Sequence, residues 1–198
     1  MTERRQPALA QAPEWMAAEM PPGYQTRLFE LQRLSADLHA MDRVGRLLWE
    51  TGDPLRDTVT EVFGALKCDV DVTPGTAGPI AVKLGDSRRL LVVVSGAASP
   101  IQKTDEALAQ AFQAVQFAGA DDRVVFVANS DPATPPADRP DAVLPDAVDV
   151  LQRMGVDVVT TTTLFRLWRL SLEDQEKAQR ALERLHDQDG GPFVIPPR

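Results

Sequence analysis

The chain has 198 residues, of which 43% are hydrophobic and 25% charged, the balance of a soluble domain with a core of its own and some extensions. Its formal charge of -8 disfavours general attraction to nucleic acid or to an anionic membrane, because phosphate needs a positive surface. A single cysteine, Cys68, excludes an internal disulfide and a thiolate zinc cluster, and no apolar run approaches a membrane span.

In chain order, residues 1–23 carry Pro7, Pro13, Pro21 and Pro22 among small and polar residues, which predicts a flexible arm. Arg4 and Arg5 are followed by no apolar segment of the signal-peptide kind, so a cytoplasmic protein is expected. Trp15 and Met16 stand out in the arm, either as a short docking motif or as part of a tail that folds onto its own domain.

From Tyr24 to Glu50 the pattern is helical. Leu31, Leu34, Leu38, Met41 and Leu48 recur at spacings of three and four, with Gly45 in register, and Leu28 and Leu47 broaden the stripe. Arg27, Glu30, Arg33, Asp37 and Arg43 are available for the other face. Such a helix must pack on something, either its own domain or a partner helix across a dimer seam.

Thr51-Gly52-Asp53-Pro54 is punctuation, with Asp53 placed to cap a helix whose inner face is Leu55, Val59, Val62, Phe63 and Leu66. A strand is expected at Cys68–Thr73, then a loop at Pro74–Gly78. Ile80–Leu84, a turn at Gly85-Asp86-Ser87 and the run Leu90–Gly96 read as a hairpin leading into a central, fully buried strand. A helix over Thr104–Gly119 follows, with Leu108, Ala111, Phe112 and Val115 inward, then a buried strand at Arg123–Ala128 and a proline-rich loop at Asn129–Asp141. The remaining expectations are a helix within Ala142–Met154, helical at least from Asp146, a short strand at Val156–Thr160, a helix at Thr163–Leu170, a polar helix capped within Ser171–Asp174 and reaching His186, and a frayed tail from Asp189. The fold class predicted is α/β: a mixed central sheet with helices on both faces, divided into the arm (1–23), the domain with its leading helix (24–170), and a C-terminal helix and tail (171–198).

Three phrases carry a family resemblance: Leu47-Leu48-Trp49-Glu50-Thr51-Gly52-Asp53-Pro54-Leu55, Val125-Phe126-Val127-Ala128-Asn129, and Thr161-Thr162-Thr163-Leu164-Phe165. In this order around these elements, the stretch from Arg46 to Arg169 resembles bacterial members of the PD-(D/E)XK superfamily, the restriction-endonuclease-like fold. The resemblance implies an acidic residue opening the second strand and Glu-X-Lys on the third. The two carboxylates hold Mg²⁺ and the lysine positions the attacking water. Here Val93 stands where the Glu is expected and Ser95 where the Lys is expected, Gly96 keeps the family's glycine, and Pro79–Ala81 contains no acid. Valine cannot ligate a hard cation and serine carries no positive charge, so the catalytic groups are absent from their expected places. Gln113 and Phe117 have the spacing of the Gln-X-X-X-Tyr that related nucleases often carry on the next helix.

Other chemistry has little purchase. Asp69 and Asp71 alternate onto one face of the first strand, and with Lys83, Asp86 and Lys103 they are the candidates for relocated catalytic groups. His39 and His186 lie in separate helices without a Ser or Cys motif beside them. The Asn129 loop sits where α/β folds often bind ligands, with a structural turn as the simpler reading, and Thr160–Thr163 offers a helix cap. No cofactor or metal is expected. The expected function is that of an inactive nuclease-like module for protein interaction or assembly, a homodimer or a complex with a partner protein, with Leu31, Leu34, Leu38 and Met41 as the contact residues. The alternatives are a divergent metal-dependent nuclease using relocated acids and a flavodoxin-like binder, the last requiring a wholly parallel sheet.

Overall fold

A computed structural model describes residues 19–71, 78–85 and 87–195. Trp15, Met16, most of the Pro74–Gly78 loop, Asp86 and the last three residues lie outside that set. The chain divides into two units, Met1–Asp42 and Arg43–Arg198.

The first unit contributes most of α1 (Tyr24–Gly45). In the second unit, a 3-10 turn at Arg46–Leu48 replaces the helical continuation expected to Glu50. Tightening the turn there lets Val44 and Leu47 enter the core, so Leu47 leaves the outer stripe to which its spacing assigned it. The elements that follow are α2 (Gly52–Ala65), β1 (Asp69–Asp71), β2 (Ile80–Leu84), β3 (Arg88–Ala97), α3 (Glu106–Phe117), β4 (Asp122–Ser130), α4 (Pro145–Arg153), β5 (Asp157–Thr160), α5 (Thr161–Glu173), α6 (Gln175–Asp187) and β6 (Gly191–Pro192).

The six strands form one mixed sheet in the order β1-β2-β3-β4-β5-β6. β1, β2 and β3 are antiparallel neighbours, and β3 to β6 run parallel. Gly85, at φ +77°, makes the β2–β3 turn where an L side chain would be strained. The antiparallel hairpin removes the flavodoxin-like reading, which needed β2 parallel to β3.

The β-branched runs are buried because both faces of the sheet are covered. Leu90, Val92, Val125, Val127 and Val159 face α2, α5 and α6. Leu91, Val93, Val124, Phe126 and Val158 face α3 and α4. Alternate residues of one strand therefore serve two different cores, which is why no polar residue interrupts Leu90–Val94. Gly96 is needed for a close approach: a Cβ there would stand 2.9 Å from Leu55 Cδ2 and 3.1 Å from Thr51 Cα.

Four local expectations change. Phe112 is 52% exposed, because the line of α3 against the sheet is Leu108, Ala111 and Ala114, whose small side chains let the helix sit close. The segment before α4 is not helical: Ile101 N donates to Ala142 O and Leu144 N to Ile101 O, a parallel bridge that holds Val143 inside. α5 runs on to Glu173 instead of ending at Leu170, so Asp174, the last residue of the expected cap segment, caps α6, accepting from Lys177 N at 3.0 Å. The tail is not frayed where it is described. Gly190 and Gly191, both at positive φ, turn it into β6, where Gly191 N donates to Val156 O, Phe193 N donates to Val158 O, and Phe193 is buried.

Candidate interaction surface

The positions at which a nuclease-like core would hold its metal are built from apolar and neutral groups. Val93 is buried against α3 and α4, and Ser95 two residues on shares its face. Ile80 and Ala81, opposite Val92 and Leu91, bring no acid. These residues do not fit a hard divalent cation. Among the described residues, no three His, Cys, Asp or Glu side chains come together as a ligand set.

The relocated candidates are occupied or dispersed. Asp69 and Asp71 are exposed on an edge strand, and Lys83 Nζ lies 3.0 Å from Asp69 Oδ2, which raises the Lys83 pKa. Lys103 is 3.8 Å from Asp146. Gln113 is exposed and Phe117 is 83% exposed, so the pair shares no enclosed site. His39 Nδ1 donates to Ser35 O at 2.6 Å, with Ser35 Oγ 3.4 Å away on the same exposed helix turn, and His186 Nε2 donates to Asp121 O at 3.0 Å, so both imidazoles are engaged by backbone carbonyls. Burial pushes the Cys68 thiol up to about 11, leaving it protonated and unreactive at neutral pH.

A recess of about 180 Å³ does open beyond β4 and β5, lined by Asn129, Ser130, Arg139 and Thr160–Thr162. Its polar groups are mostly turned inward to the protein. The buried Asn129 amide donates to Glu50 O (2.9 Å), and its Oδ1 accepts from Arg139 Nη1 (3.0 Å) and Thr161 Oγ1 (2.9 Å). Arg139 also donates to the carbonyls of Thr134, Pro132 and Leu48. Desolvation lowers the Arg139 pKa, with the charge of Asp131 opposing. One asparagine thus ties together the Glu50 turn, the Asn129–Asp141 loop and the start of α5. Thr160 caps α5, its Oγ1 accepting from Thr163 N at 3.1 Å.

The expected contact residues stand together on α1. Leu31 is 55% exposed, Leu34 54%, Leu38 62% and Met41 47%. That is an apolar stripe on the order of a few hundred Å², the size at which a surface patch usually has a role. Glu30 lies one turn before Leu34, Asp37 one turn before Met41, and Asp42 one turn after Leu38. Acids therefore flank the stripe along both edges. Arg27 falls four residues before Leu31, on the stripe's own line rather than on the opposite face.

The second unit carries a surface that sequence reasoning missed. α5, α6 and the residues after β6 enclose an open groove of about 1240 Å³. Leu170, Ala181, Val194 and Ile195 supply its aliphatic lining. Arg166 and Arg169 on α5 and Arg184 on α6 line it as well, and none of the three forms an ion pair among the described residues. Lys177 and Arg180 also line it but are engaged, by Asp174 at 3.2 Å and Glu176 at 3.4 Å, and Asp174 is held below the usual carboxylate range by the hydrogen bonds from Lys177. The available signal was the spacing: Arg166 and Arg169 three apart, Arg180 and Arg184 four apart, in a chain of charge -8.

No helix among the described residues is long and apolar enough to cross a membrane. No protein-family model matches the chain, and neither does any curated protein or solved structure.

Proposed function

We propose that the chain is a nuclease-like domain without catalytic groups, working as an assembly module through α1, which contacts a second copy. The exposed stripe of Leu31, Leu34, Leu38 and Met41 carries this reading. A helix that presents four large apolar residues at one-turn intervals loses hydration cost when another protein covers it. Support for the nuclease-like core comes from the order α2-β1-β2-β3-α3-β4, with three antiparallel strands followed by a parallel one. The loss of catalysis rests on Val93 and Ser95 at the positions that need Glu and Lys.

Two measurements test it. Purified protein is expected to leave single- and double-stranded DNA and RNA intact with Mg²⁺ or Mn²⁺. Cleavage abolished by Asp69→Ala or Asp71→Ala would replace this reading with a metal-dependent nuclease using relocated ligands. Leu34→Glu with Leu38→Glu is expected to convert an associating protein to monomer in light scattering, with the circular dichroism of the sheet unchanged. Two carboxylates buried unpaired in the contact cost several kcal/mol, about a hundredfold or more in dissociation constant. A wild-type monomer at high concentration would remove the self-association, and outright unfolding of the double variant would assign the stripe to the core instead.

A further inference from the structure

Resting on that reading, we infer what α1 of one molecule binds: the arginine-lined groove between α5 and α6 of another copy, not a second α1. Charge decides between the two. In a stripe-to-stripe pair, the edges bearing Glu30, Asp37 and Asp42 would meet edges bearing the same acids, three on each helix against the single cation Arg27 on the stripe's line, and the excess of like charge beside an apolar seam repels. The groove offers the opposite sign. It is lined by Arg166, Arg169 and Arg184, all exposed and without ion-pair partners among the described residues, together with the aliphatic Leu170, Val194 and Ile195. An apolar line edged by acids is thus matched by a groove lined with aliphatic side chains and arginines.

Size agrees as well. Leu31 to Met41 spans about 15 Å of helix, and the 13-residue α6 that lines the groove runs about 20 Å. The groove is ill suited to the obvious competitor, nucleic acid. Its apolar lining is aliphatic with no aromatic ring for base stacking, Glu173 and Asp174 also line it, and the whole chain is acidic. Guanidinium groups in such a lining reach carboxylates in paired, bidentate geometry, which fixes the register of the incoming helix.

The test exchanges charges between two full-length variants. One carries Arg169→Glu and Arg184→Glu, so its groove and its helix are both acidic. The other carries Asp37→Arg and Asp42→Arg, so its helix and its groove are both basic. Each alone is expected to self-associate about tenfold or more weakly than wild type in sedimentation velocity. Mixed in equal amounts they are expected to regain association, because each helix then meets a groove of opposite charge. All four positions are exposed, and circular dichroism with a thermal melt verifies the fold. As a second measurement on unaltered protein, raising NaCl from 50 to 500 mM is expected to weaken wild-type association about tenfold. Association unchanged by the arginine substitutions, or a mixture no tighter than its components, overturns the groove assignment. If Leu34→Glu with Leu38→Glu still dissociates the protein in that case, the assembly reading survives and the groove alone is wrong. A wild-type monomer overturns both. Nucleic acid bound by wild type and lost from the Arg169→Glu and Arg184→Glu protein would reassign the groove to that ligand.

Discussion

Asn129→Ala is expected to destabilise the protein by about 3–5 kcal/mol, lowering the melting midpoint by about 10 °C. The side chain is buried at 1% exposure and makes three hydrogen bonds to three separate segments. Truncation strands the Glu50 carbonyl and the buried Thr161 hydroxyl, and takes one acceptor from the Arg139 guanidinium. Each stranded group costs about 1–3 kcal/mol. Arg139→Ala is expected to cost less, since Asn129 keeps two of its three bonds and the carbonyls that Arg139 leaves lie beside a side chain only half-buried, where water can take its place. The double variant is expected to fall short of the sum of the single effects by about 1 kcal/mol or more, the mark of one shared network. Thr161→Val, which removes a single bond and keeps the shape, sets the lower end at about 1–2 kcal/mol. Urea denaturation of the four variants measures these quantities. A loss below about 1 kcal/mol for Asn129→Ala would mean that the Leu48–Glu50 turn is held by its apolar contacts and not by the asparagine.

The elements legible in the sequence are those whose cause is local or periodic. Leu90–Val94 and Val124–Val127 announce buried strands because each residue packs into one of two cores, so hydrophobicity never lapses along them. The stripe on α1 is legible from its spacing of three and four. What escaped depends on distant partners. β6 reads as a chain end because Gly190-Gly191-Pro192 are breakers in any local scale, yet the backbone of β5 pairs with Gly191 and Phe193 fills a core position. Arg139 gives no signal inside a proline-rich loop because its partners are chiefly backbone carbonyls, which every sequence possesses. The arginine groove needs α5, α6 and the tail to converge, and no single segment contains it. Val93 and Ser95 could be read directly from the strand, and the burial of Val93 gives it a packing role between β3 and α3.

Asp157→Asn is expected to stabilise the protein at pH 8 by about 2–4 kcal/mol and to change it by less than about 1 kcal/mol near pH 4. Asp157 opens β5 and is fully buried. Its Oδ1 accepts from Gly190 N at 3.1 Å, while Oδ2 has no hydrogen-bond partner. Burial pushes its pKa up to about 7, against the pull of Arg123, the Gly190 N–H and the Gln188 side chain. Arg123 compensates only in part because it also donates to His186 O and lies 3.7 Å from Asp189. In the unfolded chain the carboxyl titrates near 3.9. Between these two values the folded protein holds a proton that the unfolded chain has released, so stability falls as pH rises through the window and is flat above about 7. Three pH units of such linkage amount to about 4 kcal/mol, an upper bound because the carboxylate draws on its polar neighbours once ionised. Asparagine keeps an acceptor for Gly190 and never ionises, so the decline is removed. Asp122 works in the other direction. Its bidentate pair with Arg89, at 2.8 Å on both oxygens, holds its pKa below the usual range, so its contribution is present above about pH 4 and lost as the pH falls further. Wild-type stability is therefore expected to peak between pH 4 and 5, and the peak is expected to broaden towards neutral pH in Asp157→Asn. Urea midpoints taken from pH 3.5 to 8.5 on both proteins decide it. A gain of equal size at pH 4.5 and pH 8 would trace the effect to packing around β6 and not to the charge on Asp157.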